Sequence, residues 1–108
     1  MNTELIDQFI DYYWLITGDS KNTLDAYRSD LKIFNKWLTE KSFISVNSKN
    51  IQDYFSDRQK NNISSSSQAR LLTCLHSFYQ HLLANQLIKK DPTEQLSQPK
   101  LEKNYLFF

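Results

Sequence analysis

The clearest sign of the fold is the run Lys21-Asn22-Thr23-Leu24-Asp25-Ala26-Tyr27-Arg28-Ser29-Asp30-Leu31. Together with the residues after it, this run predicts an amphipathic helix from about residues 20–22 to about residue 41. Its apolar side chains lie within an arc of about 80°. They are Leu24, Tyr27, Leu31, Phe34 and Leu38. About 90° further round the helix lies a cationic stripe, made of Lys21, Arg28, Lys32 and Lys36.

Three further helices are predicted by the same periodicity, at about residues 4–16, 50–60 and 66–85. Gly18 is the expected C-terminal cap of the first, while residues 47–50 and the serines at 64–67 are expected to cap the third and fourth. Pro92 fits the first position of a short fifth helix, capped by Asp91 and ending at Leu96. No segment alternates with the period of a strand, and one Gly and two Pro leave few tight turns. The sequence therefore predicts an all-α bundle of four or five helices.

The composition narrows the classes of protein. A chain of 108 residues fits one domain, and 40% hydrophobic residues are enough for a core, so disorder is not expected. Cys74 is the only cysteine, which excludes an intramolecular disulfide, and we expect a buried side chain rather than a catalytic thiol. His76 and His81 have no second His or Cys at metal-ligand spacing, so neither a metal nor a cofactor is expected.

Targeting signals are not visible in the sequence. No apolar run approaches the roughly 18 residues that a membrane span needs. The first residues, Met1-Asn2-Thr3-Glu4, lack the basic region of a signal peptide. We therefore expect a cytoplasmic protein.

The charge is unevenly distributed along the chain. The formal net charge is +1, but residues 1–20 contain four acidic groups and no Lys or Arg, and the remaining residues carry a net +5. A local field governs the binding of a polyanion more than the total charge does. The modest net charge therefore does not exclude a nucleic acid as partner.

A series of short motifs follows in a fixed order along the chain. They are Asn22-Thr23-x-x-Ala26-Tyr27-Arg28-x-Asp30-Leu31, then Ser67-x-Ala69-Arg70-Leu71-Leu72, then Phe78-Tyr79-x-x-Leu82, then Asp91-Pro92-Thr93 with Leu96, and Pro99-Lys100-Leu101. The set resembles the core-binding domain of the tyrosine recombinases, in particular the XerC/XerD branch and related phage integrases. The resemblance covers nearly the whole chain.

This resemblance implies a SAM-like orthogonal bundle over residues 1–97, followed by a linker over residues 98–108. In the family, such a domain and a larger catalytic domain clamp duplex DNA, and the helices that correspond to the second and fourth here face the major groove. The catalytic Arg, Lys, His and Tyr residues belong to the catalytic domain, which this sequence lacks. Tyr105 lies in the linker, so no catalytic residue is assigned. The expected partners are double-stranded DNA and, in a full-length recombinase, the other protomers of a synaptic tetramer; the isolated domain is expected to be a monomer.

The expected DNA contacts lie mainly on the second and fourth helices. A row of cations can follow the phosphates of a groove edge, and helix starts favour anions. The expected contacts are Lys21, Asn22, Thr23, Arg28, Lys32, Lys36, Lys60, Ser65, Ser66, Ser67, Arg70, Thr73, Ser77 and Lys100. Simpler explanations stay open, because a solvated helix face accounts for Lys32 and Lys36, and capping accounts for Asn22, Thr23 and the serines. Asp25 and Asp30 are alternative partners for Arg28.

A second hypothesis is a protein-interaction module. The first helix is acidic and rich in aromatic residues, so it offers a docking surface for another protomer through Phe9, Tyr12, Tyr13 and Trp14. An independent enzyme is disfavoured, because the sequence has no paired carboxylates, metal cluster, Gly-rich phosphate loop or nucleophile with a base.

Overall fold

The computed structural model describes residues 2–94 and residue 96. Within these residues four α-helices follow one another, namely α1 (Asn2–Thr17), α2 (Lys21–Leu38), α3 (Ser48–Lys60) and α4 (Ser65–Ala84). A 3₁₀ turn, Phe43–Ser45, precedes α3. No strand occurs among the described residues, so the all-α prediction is confirmed. The chain divides into two compact units, the first ending at Ser45 and the second beginning at Val46.

The first unit is a helix pair with an aromatic core. α1 and α2 pack on each other, and most of the apolar stripe that the sequence predicts for α2 is buried. The ring of Tyr13 lies 5.3 Å from that of Tyr27, and the ring of Phe34 lies 5.8 Å from that of Phe43. The buried apolar side chains of this unit are Leu5, Ile6, Phe9, Ile10, Tyr27, Leu31, Phe34, Leu38 and Phe43.

One amide fastens the start of α1 to the turn that follows α2. The Nδ2 of Asn2 donates to the Oδ1 of Asn35 at 2.7 Å, and the backbone N–H of Phe43 donates to the Oδ1 of Asn2 at 3.2 Å. Both ends of the unit are therefore held by side-chain hydrogen bonds as well as by apolar packing.

In the second unit the core belongs mainly to α4. Its buried residues are Leu71, Leu72, Cys74, Leu75, Phe78, Tyr79 and Leu82, and those of α3 are Ile51 and Tyr54. The Nε of Arg58 donates to Gln68 at 2.9 Å, and Gln68 in turn donates to the carbonyl of Phe55 at 3.1 Å. Arg58 also stacks over the ring of Tyr54. This cation is thus part of the α3–α4 connection, and the predicted burial of Cys74 is confirmed.

The segment after α4 forms a turn over residues 92–94 rather than the predicted short helix. Asp91 does act as a cap, because its Oδ1 accepts from the N–H of Thr93 at 2.8 Å. The same oxygen also accepts from the Thr93 hydroxyl. Two residues of α4 contact this pair: Gln80 donates to the other carboxylate oxygen of Asp91, and the Nδ1 of His76 lies 2.8 Å from the Oγ1 of Thr93. The turn is thus tied to α4 by side-chain contacts, and the Asp91 cap that the sequence predicts is followed by a turn instead of a helix. Burial, aided by the negative charge of Asp91, also raises the pKa of Tyr79.

Helix ends follow the predicted capping chemistry with small shifts in position. Gly18 ends α1 with a φ of +65°, a left-handed conformation that glycine adopts without strain. Ser20, Asn47 and Ser64 are the N-caps of α2, α3 and α4. α3 and α4 therefore begin slightly earlier than their apolar periodicity suggests. No described helix is long and apolar enough to cross a membrane.

Candidate nucleic-acid interface

The cationic stripe of α2 lies on the surface of the first unit. Lys21, Lys32 and Lys36 are exposed. An open depression on this face is lined by Asp25, Arg28, Ser29, Lys32, Ile33 and Lys36. Most of the predicted stripe is therefore a single continuous surface along one helix.

Arg28 has a partner that the sequence did not reveal. Its Nη1 donates to the Oδ1 of Asp7, which lies on α1. The sequence left open Asp25 and Asp30, its neighbours on α2, as alternatives to DNA. Asp30 is instead buried, at 2% exposure, and Asp25 is exposed on the cationic face. Asp7 is 21 residues away in sequence, so only the packing of α1 on α2 brings the two side chains together.

Two further residues of this face were missed by the sequence analysis. Ser29 and Ile33 line the same depression as Lys32 and Lys36. Ile33 is 50% exposed and therefore is not part of the core. The helical period could have found both, because they lie one to two turns from the predicted lysines.

The start of α2 separates the capping residues from the exposed ones. The N–H of Thr23 donates to the Oγ of Ser20 at 3.3 Å, and the hydroxyls of the two residues are also 3.3 Å apart. Thr23 thus takes part in the cap, while Asn22 is exposed in the first turn. The capping explanation applies to Thr23, and the cap itself is Ser20.

The start of α4 has the same construction. Ser64 is the cap, and its Oγ accepts from the N–H of Ser67 at 3.1 Å. Ser65 and Ser66 are exposed, and Ser67 is half-buried. Of the three serines predicted as DNA contacts, Ser67 is part of the cap, while Ser65 and Ser66 lie at an exposed helix start.

The outer face of α4 is polar and small. Arg70 and Thr73 are exposed, and Ser77 is half-buried. Thr73 uses its hydroxyl within the helix, donating to the carbonyl of Ala69 at 3.2 Å. Lys60 is exposed at the last position of α3, and Lys100 lies outside the described residues. The described residues contain no group of three or more potential metal ligands.

Comparison with known proteins identifies the family. Residues 6–86 match the family described as phage integrase, N-terminal SAM-like domain. The chain is 40% identical to the tyrosine recombinase XerD of Proteus mirabilis over 104 residues, which are 94% of this chain and 33% of the relative. It is 42% identical to the XerD of Pseudomonas putida over 101 residues, 92% of this chain and 34% of the relative.

A more distant relative agrees. The XerD of Haemophilus influenzae is 32% identical over 102 residues, 93% of this chain and 34% of the relative. The chain thus spans about a third of the length of the recombinases it matches. The match covers all four helices except the first residues of α1. This chain belongs to the phage integrase N-terminal SAM-like domain family.

Proposed function

We propose that this chain is the DNA-binding module of a tyrosine recombinase and holds one side of a recombination site. In this proposal α2 and α4 face the major groove, and strand cleavage belongs to a separate catalytic domain. Residues 1–97 form the module and residues 98–108 the linker. This DNA binding takes place in the cytoplasm, where a bacterial chromosome lies. The observation that carries the proposal is the exposed row of cations on α2.

The geometry of this row suits a duplex. Lys21 and Lys36 are separated by about 22 Å along the helix axis, at about 1.5 Å per residue. Duplex DNA presents a phosphate charge about every 1.7 Å along its axis, so a row of this length passes several phosphates. Long, exposed lysine side chains are flexible, so they can reach these phosphates in more than one conformation. The α2 lysines therefore supply the phosphate contacts that position the module.

α4 offers a different kind of contact. Ser65 and Ser66 lie in its exposed first turn, where free backbone N–H groups favour an anion. Arg70 and Thr73 continue along the exposed face. Because these side chains, apart from Arg70, are short, the helix can approach base edges closely. Arg70 has the planar fork that binds a guanine edge or a phosphate with two hydrogen bonds.

A duplex titration tests the proposal. The isolated chain is titrated with a short duplex at about 50 mM and about 200 mM salt, with amide shifts recorded by NMR. We expect a dissociation constant of about 1–100 µM, the range typical of non-specific binding. Three phosphate contacts would weaken binding about 40-fold between these two salt concentrations. The shifts should be confined to residues 21–36 and 64–77.

A matched pair of triple variants then identifies the face. Replacing Lys21, Lys32 and Lys36 with Ala removes the α2 row, and replacing Lys41, Lys89 and Lys90 with Ala removes the same charge from other exposed sites. The first variant should lose most of its affinity and reduce the salt slope by about 2.7. The second should bind almost as wild type. Equal losses would contradict the proposed interface, since they would mean that only total charge matters.

The end of α1 supports protomer docking as a second function. Of the residues predicted for docking, Phe9 is buried in the core and Tyr13 is half-buried against Tyr27. Trp14, Leu15 and Ile16 are instead 55%, 74% and 59% exposed. Exposed apolar side chains grouped in this way are typical of protein contacts. Sedimentation of a complete recombinase on its DNA site, with and without Leu15→Lys, tests it, and unchanged assembly would contradict the docking role.

A further inference from the structure

The ion pair between Arg28 and Asp7 lies at the edge of the proposed interface. Arg28 is on α2 and Asp7 on α1, and their side chains are 33% and 56% exposed. Each helix also has a place in the apolar core, so the two backbones are held together independently of this pair. The pair is therefore not needed to join α1 to α2.

Arg28 shares its surface with two of the lysines. It lines the same depression as Lys32 and Lys36. A phosphate held by these lysines thus lies next to the Arg28 guanidinium, which is the group best suited to bind it with two hydrogen bonds. In the free chain a carboxylate already accepts from that guanidinium.

We propose that Asp7 is an internal competitor for DNA phosphate at Arg28. This inference rests on the proposed DNA-binding function. When a phosphate binds, either it takes the hydrogen bond that Asp7 receives, or it uses the other edge of the guanidinium with the Asp7 carboxylate close by. The first path breaks an ion pair and the second places two anions side by side, so both weaken binding.

Such a competitor acts differently on duplexes that engage the whole row and on duplexes that touch only part of it. A duplex that engages Lys32 and Lys36 together presents a phosphate to Arg28 at high local concentration, and this displaces Asp7. A duplex that touches the row only in part leaves the ion pair closed. Asp7 therefore lowers the affinity of a fully seated duplex by the cost of breaking the ion pair, whereas a partly seated duplex neither pays this cost nor gains the contact with Arg28.

The test compares two isosteric substitutions on α1. Asp7→Asn and Asp11→Asn each remove one negative charge from an exposed position on the same helix. Of these two aspartates, only Asp7 contacts Arg28. An ion pair with this exposure changes an equilibrium by at most about fivefold. We expect Asp7→Asn to bind a short duplex about two- to fivefold more tightly than Asp11→Asn at low salt.

The route through Arg28 is tested in a second background. When Arg28 is replaced with Gln, the advantage of Asp7→Asn over Asp11→Asn should disappear. Thermal unfolding of each variant confirms that the fold is kept, as expected for exposed positions. Equal binding of the two Asn variants, or weaker binding by Asp7→Asn, would overturn the inference, because Asp7 would then be neutral or would position Arg28.

The failure of this inference can be told from failure of the proposed function. If the α2 lysine variants lose affinity while Asp7→Asn matches Asp11→Asn, the interface stands and only the competitor role is wrong. If the lysine variants behave as their matched control, or the wild type binds no duplex, both proposals are wrong.

Discussion

The exposed faces of α2 and α4 differ in the length and charge of their side chains. α2 presents Lys21, Lys32 and Lys36, whereas α4 presents mainly Ser and Thr with one Arg. A charge acts over about 10 Å at 0.1 M salt, but a small polar side chain acts only on contact. If both faces bind DNA, the α2 face should respond to salt and the α4 face to side-chain size.

The largest effect is expected from reversing charge on α2. In Lys32→Glu with Lys36→Glu, each attraction of about 1 kcal/mol, the value for two charges 4 Å apart in bulk water, becomes a repulsion of similar size. Two such changes amount to about 4 kcal/mol, so duplex binding should fall more than 100-fold. The salt slope should fall by about 1.8. Fluorescence anisotropy across a salt series measures both quantities.

The control for this reversal lies in the second unit. Lys89→Glu with Lys90→Glu changes the total charge by the same amount at two exposed positions outside the proposed interface. It should weaken binding much less. If the two pairs behaved alike, α2 would be only one part of a diffuse field, and the contrast between the faces would disappear.

A bulky side chain should affect α4 more than α2. Thr73→Tyr places a ring on the exposed face of α4. If that face lies against the groove, the clash should cost about 1–3 kcal/mol, similar to overpacking in a core, and the salt slope should not change. Ser29→Tyr is the matched change beside the lysines of α2, where, in the proposed interface, long side chains would hold the duplex away. Equal losses at both sites would show that α4 makes no closer approach than α2.

Single serines separate helix capping from DNA contact. Ser64→Ala removes the hydrogen bond to the N–H of Ser67, and Ser20→Ala removes the one to Thr23. Each should lower the free energy of unfolding by about 1 kcal/mol, which is a melting temperature about 4–8 °C lower for a small domain. Calorimetry of the two variants provides the measurement.

The neighbouring serines should behave in the opposite way. Ser65→Ala and Ser66→Ala remove exposed side chains, so stability should change by no more than about 0.5 kcal/mol. Weaker duplex binding by these variants, without a loss of stability, would support DNA contact. If they bind as wild type, Ser65 and Ser66 make no DNA contact.

The sequence predicted those features that depend on local spacing. Apolar residues repeat with the helical period, so the four described helices and the inner face of α2 could be found. Ser and Asn at helix starts have a local chemistry, so the caps were predicted to within a few residues. The contacts that tie the turn after α4 to that helix were not predicted, because the fold brings His76 and Gln80 to Thr93 and Asp91 across 17 and 11 residues of sequence.

In the candidate site, too, local features were predicted from the sequence and contacts between helices were not. The cationic row is periodic and was predicted, but the partner of Arg28 lies on another helix. Burial of Asp30 was also unexpected, because acidic side chains are usually exposed. Contacts between elements therefore changed the interpretation of individual residues, while the helix that holds them was already clear.

The smallest predicted effect concerns pH and α4. Partial burial lowers the pKa of His81, although a position in the last turn of a helix favours the imidazolium. The folded state then binds a proton less readily than the unfolded chain. The free energy of unfolding is therefore at its full value when the pH is above the pKa of His81 in the unfolded chain, about 6.5. It should decline as the pH falls below that value and level off beneath the lowered folded pKa. Melting curves between about pH 5 and pH 8 should show that the melting temperature falls by less than it does on loss of a cap. This fall should be smaller in His81→Gln.

His81 is at the opposite end of α4 from Ser65 and Ser66. Its protonation should therefore not change how that helix start binds a duplex, and a parallel loss of stability and of duplex binding would contradict the separation of the two ends.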